Sequence, residues 1–179
     1  LIADGEYWRL FTAMFLHVGA MHLLLNGFGL FVFGRVVERV YGSLQFAVIY
    51  VLAGLFGGIA SYLINSISIG AGASGAIFGV LGAFAAYFFA RRKVLGEAGR
   101  QTFWGILVMA GINLMFGFST SGIDNWAHVG GLVAGFGIGL AFVPRPDVPP
   151  NVFQFPGTPT ITSRVPPRVW LLPLVVAAI

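Results

Sequence analysis

The chain has 179 residues, of which 58% are hydrophobic and only 9% charged, with a formal net charge of +4. A soluble domain carries about 25% charged residues, so this chain cannot cover a water-facing surface and its expected solvent is the lipid bilayer. Cysteine is absent, which excludes disulfides and thiol chemistry, and three histidines with six acids leave little material for a metal centre, so neither metal nor cofactor is expected.

Residues 1–20 form an outer segment before the first apolar run. In it Trp8 and Arg9 read as an anchor at the membrane interface, and His17 as a solvated or structural histidine. Apolar runs separated by polar or basic breaks then predict spans near 21–34, 44–64, 74–90, 102–118 and 126–143. These runs are continuous rather than alternating, which favours an all-α polytopic bundle over a barrel. Glycine recurs inside them, where small residues let helices approach closely in lipid. Gly54 and Gly58 form one such pair, and Gly131, Gly135 and Gly139 line one helix face. Residues 1–143 are thus the expected core, and the proline-rich stretch 144–168 reads as an irregular cytoplasmic linker. A further apolar run, 169–179, reads as the start of an additional span, since a crossing needs about 20 residues. The chain begins at Leu1 and stops inside that run, so it reads as a fragment cut at both ends; no signal peptide is visible.

Crossing at each span puts Arg35, Arg39, Arg91, Arg92, Lys93, Arg100, Arg145, Arg164 and Arg168 on one side and leaves Arg9 alone on the other. The positive-inside rule makes the first side cytoplasmic, and this placement of charge argues against nucleic-acid binding. Segments 1–20, 65–73 and 119–125 therefore face outward.

Four polar residues stand near the outer ends of three spans, where polar groups are costly and usually face the bundle interior. His22 and Asn26 are four apart and share a helix face. Ser74, inside "GAGASGAIFGVLGAF" (70–84), opens the third span, and His128 opens the fifth. Ser74 to Arg91 and His128 to Arg145 are each 17 residues, about 25 Å of helix, so serine and histidine lie at similar depth, within hydrogen-bonding reach. Taken singly, Ser74 reads as a helix N-cap, His128 as a packed or interfacial group, and His22 with Asn26 as polar glue between helices. Taken together they read as a site. A serine is a weak nucleophile until a base takes its proton, and His128 can be that base and then the acid for a leaving amine. Asp124 lies four residues before His128 but is expected in the loop, so a Ser–His dyad oriented by packing is favoured over a triad. Donors for an oxyanion are the Ser74 backbone N–H, free at a helix start, the Asn26 amide and the His22 ring.

The stretches "HVGAMHLLLN" (17–26), "GASG" (72–75) and "AHVGGLVAGFGIG" (127–139) resemble, in order and spacing, the signature of rhomboid intramembrane serine proteases. The resemblance runs from "YWR" (7–9) to the end of the fifth span. It implies a rhomboid-like helical bundle from which the family's first core helix is missing here. It implies Ser74 as nucleophile, His128 as base, and His22, Asn26 and the Ser74 N–H as oxyanion donors. Trp8 and Arg9 match the family's partly embedded first loop. The run Phe103–Phe118 matches the helix used as a lateral gate, with residues 119–125 as the cap. Phe116 and Phe118 are expected as apolar plugs there, because bulky rings can close a lipid-facing gap without exposing backbone polar groups. The implied partners are the lipid bilayer and single-pass transmembrane protein substrates cut near their outer ends. The implied location is a multi-pass protein of a bacterial inner membrane, its site toward the outer face. A non-catalytic protein that binds transmembrane helices in the same groove is the competing reading. A small transporter is a third, weakened by the lack of an acidic residue inside the predicted spans.

Overall fold

The computed structural model describes residues 2–64 and 70–144. Arg145, Arg164 and Arg168, most of the expected linker and the run 169–179 lie outside the described residues. A short helix α1 (Trp8–Thr12) and a 3-10 turn (Ala13–Phe15) lead into α2 (Ala20–Gly29). A π-helical turn (Leu30–Gly34) joins α2 to α3 (Arg35–Tyr41), so that 20–41 is one rod. Then come α4 (Ser43–Ile64), α5 (Ser74–Phe118) and α6 (Asn125–Ala141). Helices are the expected answer in lipid, where each backbone polar group must find its partner within the segment. The rods 20–41 and 43–64, and the helical stretch 74–118, are each long and apolar enough to cross a membrane.

Two span boundaries differ from expectation. The first span does not stop near 34 but runs to Tyr41, carrying Arg35, Glu38 and Arg39 as helix and burying Glu38. An acidic residue therefore does lie inside a span, which removes that argument against a transporter. The break expected between 90 and 102 is also helical: Arg, Lys, Leu, Glu and Ala are strong helix formers, and Glu97 accepts two bonds from Arg100 at 2.8 Å one turn away. Charge ends the apolar run there without ending the helix.

What turns the chain is Gly96, the one residue of α5 with non-helical dihedrals, at φ 58° and ψ −143°. A side chain would strain that left-handed conformation; glycine adopts it freely. The reversal is visible in Phe89 and Phe103, whose rings lie 5.8 Å apart although 14 residues separate them, a separation of about 21 Å in a straight helix. Residues 74–95 and 97–118 are therefore two rods of a hairpin.

The first rod is the centre of the bundle. Every residue from Gly75 to Phe88 is buried, the mark of a helix surrounded on all sides. α3 reaches it through Tyr41, whose hydroxyl donates to the Ala83 carbonyl at 2.7 Å. α6 lies directly on its backbone: a Cβ on Gly131 would fall 2.0 Å from the Gly75 oxygen, and one on Gly135 2.0 Å from the Gly79 oxygen. α4 meets it through Ala53 against Gly79. The α4 pair divides its work differently from a simple interface stripe: Gly54 faces Met14 and Ala76, Gly58 faces Leu10, and Gly57 takes the contact with α6. Arg35, Arg39, Arg91, Arg92, Lys93 and Arg100 gather at one end of the bundle, and His22, Ser74 and His128 stand at the other.

Candidate active site

Ser74 is the first residue of α5, but it does not cap it. The cap position is Ala73, without a side-chain bond, and the Ser74 hydroxyl points instead across to α6. Its Oγ lies 2.7 Å from His128 Nε2. Two features hold them together. The glycine contacts between α5 and α6 bring the helix backbones close, with Gly75, next to Ser74, touching Gly131, three residues after His128. The imidazole also lies flat on Phe78, ring centres 4.4 Å apart and planes 3° from parallel. Phe78 is one helical turn after Ser74 and so on the same face. Its ring offers a negative face to an imidazolium, should His128 take up a proton.

His128 Nδ1 is buried with no hydrogen-bond partner among the described residues. Among the described residues no carboxylate bonds to it to complete a triad. Asp124, expected in the loop, is the N-cap of α6: its Oδ1 accepts from the Ala127 N–H at 3.1 Å, and its Oδ2 accepts from the Ser61 hydroxyl.

The chain entering Ser74 is tied to the first segment. The Gly72 N–H donates to the Ala13 carbonyl at 2.9 Å, and the Ala73 N–H to His17 Nε2 at 3.5 Å. His17 Nδ1 donates to the Phe15 carbonyl at 3.2 Å, so a single neutral tautomer satisfies both bonds. Burial pushes the His17 pKa below its ordinary value, although the Phe15 carbonyl favours the charged ring. His17, read from sequence as solvated or structural, thus braces the loop before Ser74.

His22 packs edge-on against His17, ring centres 5.1 Å apart. Its Nδ1 accepts from the Val18 N–H at 3.4 Å, which leaves the proton on Nε2 as a donor. That nitrogen and Cε1 sit against Gly72, where a Cβ would come within 2.8 Å. Gly72 has φ +124°, so both the conformation and the space call for glycine. Asn26, one turn further along α2, is buried and donates from Nδ2 to the His22 carbonyl at 2.8 Å; a second amide hydrogen remains. The Ser74 N–H, at the first helical position, has no acceptor within its helix. Among the described residues no cluster of His, Cys, Asp or Glu could hold a metal ion.

A model of the Rhomboid domain matches residues 4–145. The chain belongs to the rhomboid family. It is 48% identical over 136 residues to Rhomboid protease GluP of Bacillus subtilis, covering 76% of this chain and 26% of that protein. It is 35% identical over 146 residues to RHOMBOID-like protein 6, mitochondrial, of Arabidopsis thaliana, covering 82% and 47%. RHOMBOID-like protein 1 of the same plant is 36% identical over 146 residues, covering 82% and 37%. The chain thus spans between about a quarter and about half of these relatives' lengths. It is an integral membrane protein by family and by its apolar rods.

In this rhomboid the two residues expected at a lateral gate end the second rod of α5. Phe116 is exposed, and Phe118 meets Trp126 of α6 edge-on, ring centres 6.0 Å apart. Beside them Gly117 lies on Asn125, whose side-chain oxygen would be 2.2 Å from a Cβ. The C-terminal end of that rod is therefore held to α6. In the first segment, Arg9 pairs with Glu6 and lies 4.7 Å from the centre of the exposed Trp8 ring, an arrangement suited to a lipid headgroup layer.

Proposed function

We propose that this rhomboid is an intramembrane serine endopeptidase that cleaves single-pass transmembrane proteins near the outer membrane face. The observation that carries the reading is the 2.7 Å contact of Ser74 Oγ with a His128 imidazole stacked on Phe78. In the reaction, Oγ attacks the peptide carbonyl carbon as its proton passes to His128 Nε2. The tetrahedral oxyanion is met by the Ser74 N–H, His22 Nε2–H and the free Asn26 amide hydrogen. His128 then gives the proton to the leaving amine, and the C–N bond breaks. Water, deprotonated by the same histidine, releases the acyl group. Residues 1–143 form the protease core in this reading, 144–168 a cytoplasmic linker and 169–179 the start of another helix. The cationic end faces the cytoplasm of a bacterial cell, and the dyad the outside. The direct test is cleavage of a transmembrane substrate in liposomes by wild type and Ser74→Ala. Cleavage abolished in the variant supports the assignment; equal cleavage refutes it, and no cleavage by a folded wild type leaves a binding protein instead.

If Asn26 stabilises the oxyanion, Asn26→Ala lowers kcat with little change in KM. Removing one such donor costs about 3 kcal/mol, less where His22 and the backbone N–H compensate. A folded Asn26→Ala variant with unchanged kcat makes this residue helix glue only.

Substrate entry is proposed to pass the second rod of α5, with residues 119–125 as the roof of a water-filled cavity above Ser74. Phe118 contributes to the hold on α6 through Trp126. Replacing Phe116 and Phe118 together by alanine is expected to speed cleavage of a transmembrane substrate more than that of a short soluble peptide. Measuring both substrates beside thermal stability checks this; a stable variant with unchanged or slower transmembrane cleavage removes these residues from the gate.

A further inference from the structure

A dyad without a third member needs its histidine placed by the scaffold, and the means of placement lies on α4. Ser61 is buried, and its hydroxyl donates to Asp124 Oδ2. The other carboxylate oxygen caps the first turn of α6 at the Ala127 N–H, and the Asp124 carbonyl accepts from the His128 N–H at 3.3 Å. One turn before Ser61, on the same face of α4, Gly57 presses on that same turn: a Cβ there would fall 2.6 Å from the Ala127 oxygen. The bridge also touches the segment entering the nucleophile. A Cβ on Gly70, four residues before Ser74, would lie 3.2 Å from Asp124 Oδ2 and 3.9 Å from Ser61 Oγ. The side chains of Ser61 and Asp124 therefore join α4, the start of α6 and the approach to α5 at one point, next to both members of the dyad.

We propose that Ser61 and Asp124 are positioning residues for the base: their bridge sets the rotation and height of the first turn of α6, and so the distance from His128 Nε2 to Ser74 Oγ. This rests on the protease reading above. The carboxylate acts here by accepting two hydrogen bonds, not by charge on the imidazole. Asparagine can do the same, with Oδ1 on the Ala127 N–H and Nδ2 donating to the serine oxygen. Alanine at either position cannot.

The test uses the full chain in liposomes with a transmembrane substrate, reading kcat, KM, the second-order rate of fluorophosphonate labelling and thermal stability. Ser74→Ala serves as the blank. Asp124→Ala and Ser61→Ala are expected to lower kcat and the labelling rate 10- to 100-fold, on the order expected for a catalytic group misplaced by about 1 Å, with KM within about threefold. Asp124→Asn is expected to restore both rates to within about threefold of wild type. The double variant Ser61→Ala/Asp124→Ala is expected to be no slower than the worse single one, since both break the same bridge. Ser61→Ala, which removes one hydroxyl from a helix, decides the matter if Asp124→Ala does not fold. Wild-type rates in a folded Ser61→Ala overturn the proposal, as does an Asp124→Asn as slow as Asp124→Ala, which would assign the effect to charge. A wild type no faster than the blank overturns the protease reading, and this inference with it.

Discussion

His128→Ala is expected to lower cleavage by at least about 10⁴-fold while the protein stays folded, because loss of either member of such a dyad removes nearly all of the activation. Nearby groups are already committed and cannot replace it. His17 Nε2 accepts the Ala73 N–H, His22 holds its proton on Nε2, and the Asp124 carboxylate is taken by Ser61 and the Ala127 N–H. The residual rate reports the oxyanion donors alone. Single-turnover cleavage in liposomes, beside a thermal melt, measures the effect. A folded variant within about tenfold of wild type would mean that another group takes the serine proton.

Gly131→Ala is expected to damage both stability and rate. Its Cβ would stand 2.0 Å from the Gly75 carbonyl oxygen, a backbone atom that no rotamer change can move. α5 and α6 must part by roughly 1 Å just beneath the dyad, a misplacement on the order of 100-fold in rate. Such overpacking costs about 1–3 kcal/mol. Gly105→Ala and Gly111→Ala are the controls: nothing lies within 4 Å of a Cβ at either position, so both should keep wild-type stability and activity. Melting temperature and kcat for the three variants in one detergent decide it. A Gly131→Ala protein that behaves like the Gly105→Ala control would show that the glycine contact does not govern the dyad.

Much of this architecture could be read from the residue pattern, because apolar run length and the placement of arginine report directly on lipid. The five predicted apolar runs fall on the helices 20–41, 43–64, the two limbs of α5, and α6. Where the reading missed, the causes are specific. Charged residues end an apolar run but not a helix, so Arg35–Tyr41 and the stretch around Arg91–Leu95 continue helical. The rotation of α4 about its axis is set by packing, so the pattern could not tell that Gly57 would meet α6 rather than Gly54 or Gly58. Phe78 is one phenylalanine in an apolar run; only its spacing of four from Ser74 marks it as the shelf for the imidazole. Asp124 did carry a signal. An aspartate just before an apolar helix is a strong N-cap, and Asp124 takes that role at the start of α6. The pairing of Ser74 with His128 was legible because each stands 17 residues before a basic residue that follows its apolar run.

The most direct measurement is mass spectrometry of the intact, lipid-reconstituted protein after reaction with a fluorophosphonate, followed by peptide mapping. The account predicts a single adduct on Ser74, absent from Ser74→Ala and formed far more slowly in His128→Ala. An adduct on another residue, or equal labelling of Ser74→Ala, would contradict it.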